Sequence, residues 1–422
     1  MLIFRQQLFR KSRIIPQMIS RYITFFEQPG VARMVSVAFA SRLPVGMLGL
    51  SMLLFLRESL GSFSLAGSAV GACYIAMAIC APMQGRFIDR YGPHRLLWVT
   101  GFMQPFALIA LYASAAWQWS FTLVMACAVL SGAFQSPITV LTRTLWRHRF
   151  DDEEARRLAY AVDAVMIECN FTIGPAIVAA VLAFSQATSA FLLSIAMVIA
   201  GFALFMKSGV LRYWKREHHA ERHLLGPLRE PRLLLVYAIS FGLTFCFGLL
   251  EVGYPGYATA LGLSAVGGVL LAVNAAGSAT GGAIFGALHL RTPIERQFAV
   301  TLALMSLPLF LHAFLIDQRI VFSIVAFFAG MAIAPSLTSQ TVLVSRLAPG
   351  KYATEAFTWS STFILTGIGA GMSVGGILME NADIKLVFAL GGAIALAMAG
   401  LALLLPVTSA RIGQGEPARQ GL

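Results

Sequence analysis

The stretch "QGRFIDRYGPHRLLW", residues 84–98, decides how this chain is read. Arg86, Arg90 and Arg95 surround a single acid, Asp89, and Gly85 and Gly92 bracket that acid. Long apolar blocks lie on both sides. A short, charged, glycine-bearing connection between two such blocks marks a chain that leaves a membrane and enters it again. An ordinary basic connection accounts for the arginines. It does not account for Asp89 or for the glycine spacing.

Working outward, the composition agrees. Hydrophobic residues make up 58% of the 422 and charged residues 12%, where a soluble domain carries about 25% charged. Mostly apolar spans of 18 residues or more cover about 30 Å of hydrocarbon each. Twelve are expected, at 31–56, 65–84, 96–115, 119–142, 158–183, 188–207, 233–254, 262–288, 297–316, 320–342, 355–378 and 384–406. In lipid every backbone N–H and C=O needs an internal partner, so the spans must be helices. The fold class is an all-α integral membrane protein.

Orientation follows from the basic residues. With the amino terminus inside, all but four of the 31 lysines and arginines fall on the cytoplasmic side, the exceptions being Arg42, Arg57, Arg319 and Lys385. This is the positive-inside bias, and an even number of spans returns the carboxyl terminus to the cytoplasm. The expected location is the inner membrane. The net charge of +12 therefore reports topology rather than nucleic-acid binding. Cys73, Cys80, Cys127, Cys169 and Cys246 all fall within spans and read as small apolar residues. His218, His219 and His223 read as part of a solvated linker, and no metal or cofactor is expected. Residues 1–30 are basic, broken by Pro16 and Pro29, and lack a cleavable-signal pattern. They are expected to be a cytoplasmic, surface-lying segment.

The chain also repeats itself. "SLAG" at 64–67 returns as "SAVG" at 264–267, and "GAFQSP" at 132–137 as "GMAIAP" at 330–335. Residues 159–182 align with 355–378. An offset held near 200 residues in one order is the signature of an internal duplication. The expected organisation is a six-helix bundle at 31–207, a basic cytoplasmic linker at 208–232, a second bundle at 233–406 and a tail at 407–422. The bundles are related by a pseudo-two-fold axis along the membrane normal.

"GRFIDRYG", residues 85–92, resembles the G-x-x-x-D-R-x-G signature between helices two and three of the major facilitator superfamily. Gly85, Asp89, Arg90 and Gly92 match, and Arg95 supplies the basic residue that follows. The resemblance implies a latch, with Asp89 docked on the amino-terminal end of helix eleven near Thr354 while the cytoplasmic side is closed. The glycines would allow a tight turn there. The corresponding second-half loop has Gly286 and Arg291 but Leu290 in place of the acid. "NFTIGPAIVAA" resembles the helix-five signature of proton-coupled exporters through Gly174 and Pro175, while Asn170, Val178 and Ala179 stand where glycines are usual. The arginine that exporters often carry in helix four is missing, and Arg143 comes only near the cytoplasmic end.

The family resemblance implies a secondary transporter working by alternating access. The expectation is proton-coupled export of a small organic molecule by a monomer in the bilayer. Uptake or uncoupled facilitation is the alternative within the class. A membrane-embedded enzyme or a non-transporting sensor is the alternative outside it. No G-x-x-x-x-G-K-[ST] stretch occurs, so ATP is not the expected drive.

Ionisable residues at membrane depth are functional candidates by default. They are Arg42, Asp163, Glu168 and Glu251, with Asn170 and Asn274 as the strongest neutral ones. Arg42 and Glu168 sit at similar depth, about 15 Å in at 1.5 Å per residue, and are expected to pair, as a structural staple or as a coupling site. Asp163 is expected nearer the cytoplasmic interface. Asp163, Asn170 and Gly174 share a stripe that is expected to meet helix eight. Small residues set the expected bundle interface: Gly67 and Gly71, Gly277 and Gly281, and Gly367, Gly371 and Gly375.

Overall fold

The computed structural model describes residues 23–215, 226–288, 290, 292–348 and 353–406. His218, His219, His223, Arg291 and the tail at 407–422 lie outside the described residues. Among the described residues, twelve helices are long and apolar enough to cross a membrane. They are α1 (Val31–Leu60), α2 (Phe63–Tyr91), α3 (Pro93–Ala116), α4 (Phe121–Ala133 and Ile138–Arg149), α5 (Glu153–Phe184) and α6 (Ala187–Lys207). The second half has α7 (Pro231–Ala260), α8 (Ser264–Ala287), α9 (Ile294–Phe314), α10 (Arg319–Met331 and Ile333–Leu347), α11 (Ala353–Asn381) and α12 (Ile384–Leu403).

Several helices outrun the spans expected from hydropathy. Hydropathy marks only the apolar stretch, whereas the helix continues until the backbone turns. α1 stops at Gly61, with φ 71°, and α2 at Gly92, with φ 83°. Both angles are left-handed, where glycine has no Cβ to clash. Pro93 then opens α3 at a position where its missing N–H costs nothing. Most of "GRFIDRYG" is thus helical. Gly92 makes the turn, while Gly85 sits inside α2 in open space, so the expected two-glycine turn is a one-glycine turn.

Packing repeats between the halves. A side chain on Gly174 of α5 would strike the backbone of Gly46 on α1. In the second half Gly371 of α11 and Gly248 of α7 approach each other in the same way. Gly132, before the break in α4, packs on the backbone of Cys73 in α2, and Gly330, before the break in α10, packs on that of Asn274 in α8. Small residues let helix backbones approach where the lipid supplies no hydrophobic drive. The sequence duplication is therefore a duplication of contacts, and it yields two six-helix bundles.

Two seams join the bundles. Gly67 of α2 lies against Met372 and Gly376 of α11, and Gly71 against Gly369 and Ser373. In the related seam, Gly268 of α8 lies against Pro175 and Ala179 of α5. Both sit toward the end that carries the α1–α2 and α11–α12 connections, called here the remote end. The chain enters α1 at the opposite end, where Phe25 is buried against Trp146 and Phe150. That part of the amino-terminal segment is packed into the bundle rather than laid on a surface.

Candidate functional site

The break in α4 supplies the first polar element. Its backbone leaves the helix at 134–137, where Pro137 cannot continue the ladder. α3 satisfies the groups this frees. The Gln104 amide donates to Gln135 Oε1 at 2.7 Å, the Ser136 N–H donates to Gln104 Oε1 at 3.2 Å, and the Ser136 hydroxyl donates to Thr100 at 3.1 Å. Non-helical backbone at membrane depth is tolerated where protein buries it in this way.

Gln135 faces a small cavity of about 30 Å³, lined with Gly49 and Met52 of α1 and Cys73, Tyr74 and Met77 of α2. Gly49 leaves room for the Tyr74 hydroxyl, which would sit 2.8 Å from any Cβ there. Glu251 of α7, on the other bundle, lies within electrostatic range of Tyr74. A carboxylate from one bundle and a phenol from the other therefore lie within electrostatic range across the boundary between them.

Glu168 is half-buried on α5. It lies two turns from Pro175, on the same helical face, and that face meets Gly268 of α8. The expected arrangement is reversed. The Asn170–Gly174 stripe packs on α1, where the Gly46 backbone approaches, and the Glu168 stripe faces the other bundle. Among the described residues neither Glu168 nor Glu251 has a cation against it.

Arg42 pairs with Asp163 rather than with Glu168. Its Nη2 stands 2.8 Å from Asp163 Oδ1, and both residues are almost wholly buried. Asp163 is thus buried within the bundle, not hydrated. Arg143 reaches its second oxygen at 3.2 Å from a largely exposed position. The arginine expected only near the end of helix four therefore does reach an intramembrane acid. Two guanidiniums share one carboxylate, and Arg42 Nε and Nη1 have no hydrogen-bond acceptor.

Asn170 and Asn274 are buried and bind backbone in their own bundles. Asn170 donates to the Phe39 carbonyl at 3.5 Å and Asn274 to the Ala326 carbonyl at 3.0 Å. The structure does not bring them together. Gly277 and Gly281 face α10 within their own bundle, and Gly367, Gly371 and Gly375 face α7. The expected interface role of these five is corrected. α11 carries a second small-residue face, Gly369, Ser373 and Gly376, and that face meets α2.

In the connection after α2, Arg90 lies over the Tyr91 ring at 5.3 Å and Asp89 is half-buried. Residues 349–352, just before α11, lie outside the described residues, so Asp89 docking on that end remains a proposal. Glu355, in the first turn of α11, is buried.

Sequence reasoning passed over three residues. His312, wholly buried in α9, faces the Pro308 carbonyl at 2.7 Å and the Tyr254 hydroxyl at 3.4 Å. It stacks on Phe388 with ring centroids 5.0 Å apart. Glu380 meets Ser62 and Ser64 across the bundle boundary. Tyr74 looks like any span tyrosine. For Glu380 the available signal was an acid at the end of a span facing a serine-rich helix start, "SFSL".

Against known proteins, the model of the Major Facilitator Superfamily matches residues 34–364, more than half of the chain. No curated protein sequence matches it. The chain is similar in fold to the crystal structure of the nucleoside transporter NupG, at 15% identity, over 89% of this chain and 98% of that one, with a TM-score of 0.65. An aspartate-to-alanine variant of that transporter aligns with 14% identity, 89% and 99% coverage and a TM-score of 0.65. At such identity the likeness concerns the fold.

Proposed function

The chain belongs to the major facilitator superfamily, and from that premise we propose that it exports a small organic molecule across the inner membrane by alternating access, coupled to protons. It is a transporter, not an enzyme. Our reading puts both termini in the cytoplasm, on the positive-inside bias, and takes a single chain as the working unit.

One observation carries the proposal. Among the described residues neither Glu168 nor Glu251 has a cation against it; the α5 face that carries Glu168 turns toward the second bundle, and Glu251 of the second bundle lies within electrostatic range of Tyr74, which lines the cavity in the first. A carboxylate in this position can take a proton from one side and release it to the other as the bundles rock. The Arg42–Asp163–Arg143 group does not suit that role, because both oxygens of Asp163 are already engaged by cations. It suits a staple joining α1, α4 and α5. The seams at the remote end support a state closed on the outer side. Export is proposed on the Gly174–Pro175 pair in α5.

The test uses purified protein in liposomes with an imposed pH gradient and a panel of small metabolites and drugs. Gradient-driven movement of one compound against its concentration, opposite to proton flow, is expected. Movement with the protons would establish uptake. Movement unaffected by the gradient would establish a facilitator.

A further inference from the structure

We propose that Glu380 and the first turn of α2 form a latch that holds the remote end of the bundles shut. It rests on the alternating-access reading above. The Ser62 hydroxyl donates to Glu380 Oε2, and the Ser64 backbone N–H donates to the same oxygen at 2.9 Å. Ser62 is also the amino-terminal cap of α2, accepting from the Leu65 N–H at 3.1 Å. Helix starts carry unsatisfied N–H groups and a partial positive charge. A carboxylate offered by the last turn of α11 satisfies both.

Placement makes this contact a gate. Just beneath it the α2 and α11 backbones lie against each other through Gly67, Gly71, Gly369 and Gly376. The bundles cannot part at this end without drawing Glu380 away from Ser62 and Ser64. Glu380 is exposed, so water can replace the bonds it loses, and the contact is weak enough to break in every cycle. The related seam lacks the device, since Leu263 precedes α8 and no side chain caps that helix. The latch is therefore specific to the α2–α11 pair. The Asp89 latch implied by the loop motif belongs to the same pair with the roles exchanged: an acid ending α2 against the start of α11. One antiparallel pair would then carry a latch at each end, and rocking would release one as it closes the other.

The experiment places spin labels at Gln186 and Gln318, exposed positions at the remote end of opposite bundles, in a background without the five free cysteines. Pulsed dipolar spectroscopy then reads the distance between them. Glu380→Ala is expected to raise the population with a longer distance severalfold. Ser62→Asp keeps the cap but sets one carboxylate against another, so it should do the same. Ser62→Asn keeps both cap and donor and should resemble the parent. Asp383→Asn alters a neighbouring acid that caps α12 through the Lys385 N–H at 2.9 Å, and should change nothing. An unchanged distribution in both Glu380→Ala and Ser62→Asp overturns the latch. So does an equal shift in Asp383→Asn, because general surface charge then governs the gate. If Asp89→Asn moves the distribution and Glu380→Ala does not, the latch fails and alternating access stands. A single distance in every variant overturns both.

Discussion

Arg42 Nη2 and Asp163 Oδ1 lie 2.8 Å apart, inside the first bundle, with side chains 2% and 1% exposed. The pair joins α1 to α5 at membrane depth, and Arg143 adds a second cation to the same acid. Removing one member of a buried pair leaves the other charge uncompensated, which costs more than the pair itself is worth.

Asp163→Asn should therefore destabilise the protein by about 3 kcal/mol, the usual scale for a stranded buried charge. Arg42→Met combined with Asp163→Leu should recover most of that loss, and thermal unfolding in detergent measures both. Glu168→Gln should leave the melting temperature near the parent value, since among the described residues Glu168 has no cation to strand. A large loss in Glu168→Gln would show that Arg42 leans on it after all.

The two small-residue faces of α11 predict different failures. Gly71→Leu drives a side chain into Gly369 and Ser373 across the seam. It should insert and fold yet lose most transport, because the remote end cannot close. Gly371→Leu strikes the Phe245 backbone inside the second bundle, so its first effect should be reduced yield and thermal stability. Overpacking costs roughly 1–3 kcal/mol. Yield, melting temperature and transport, measured for both variants, separate the two faces.

The unpaired carboxylates predict a division of labour. Glu168→Gln should abolish transport driven by a pH gradient while exchange without a gradient persists. Glu251→Gln, beside Tyr74 and the cavity, should raise KM more than it lowers kcat, since uniform binding is what it removes. Gradient-driven flux at parent rates in Glu168→Gln would move the coupling role elsewhere.

Asp89→Asn should open the cytoplasmic end, the reverse of Glu380→Ala. Cysteine labelling from each side, in the cysteine-free background, reports the balance. The double variant should label more nearly like the parent than either single one. Equal labelling in Asp89→Asn and the parent would rule out a latch at Asp89.

Twelve helices, the duplication and the family motif were readable in the chain because each rests on local physics. An apolar run of given length must become a helix in lipid, and each residue adds a fixed rise. Arg42 and Glu168 were placed at similar depth by counting, while Asp163 was expected nearer the cytoplasmic interface. Direction around the helix did not follow. Successive residues turn by about 100°, so Glu168 and Asp163, little more than one turn apart, face different neighbours, and only packing decides which of them Arg42 meets. The same holds for α11, where Gly367, Gly371 and Gly375 form one face and Gly369, Ser373 and Gly376 another, both rich in small residues. Which face becomes the seam depends on the whole set of helices around it. Contacts between distant ends, such as Ser62 with Glu380, exist only once both bundles are assembled, because no local rule links residues so far apart in the chain.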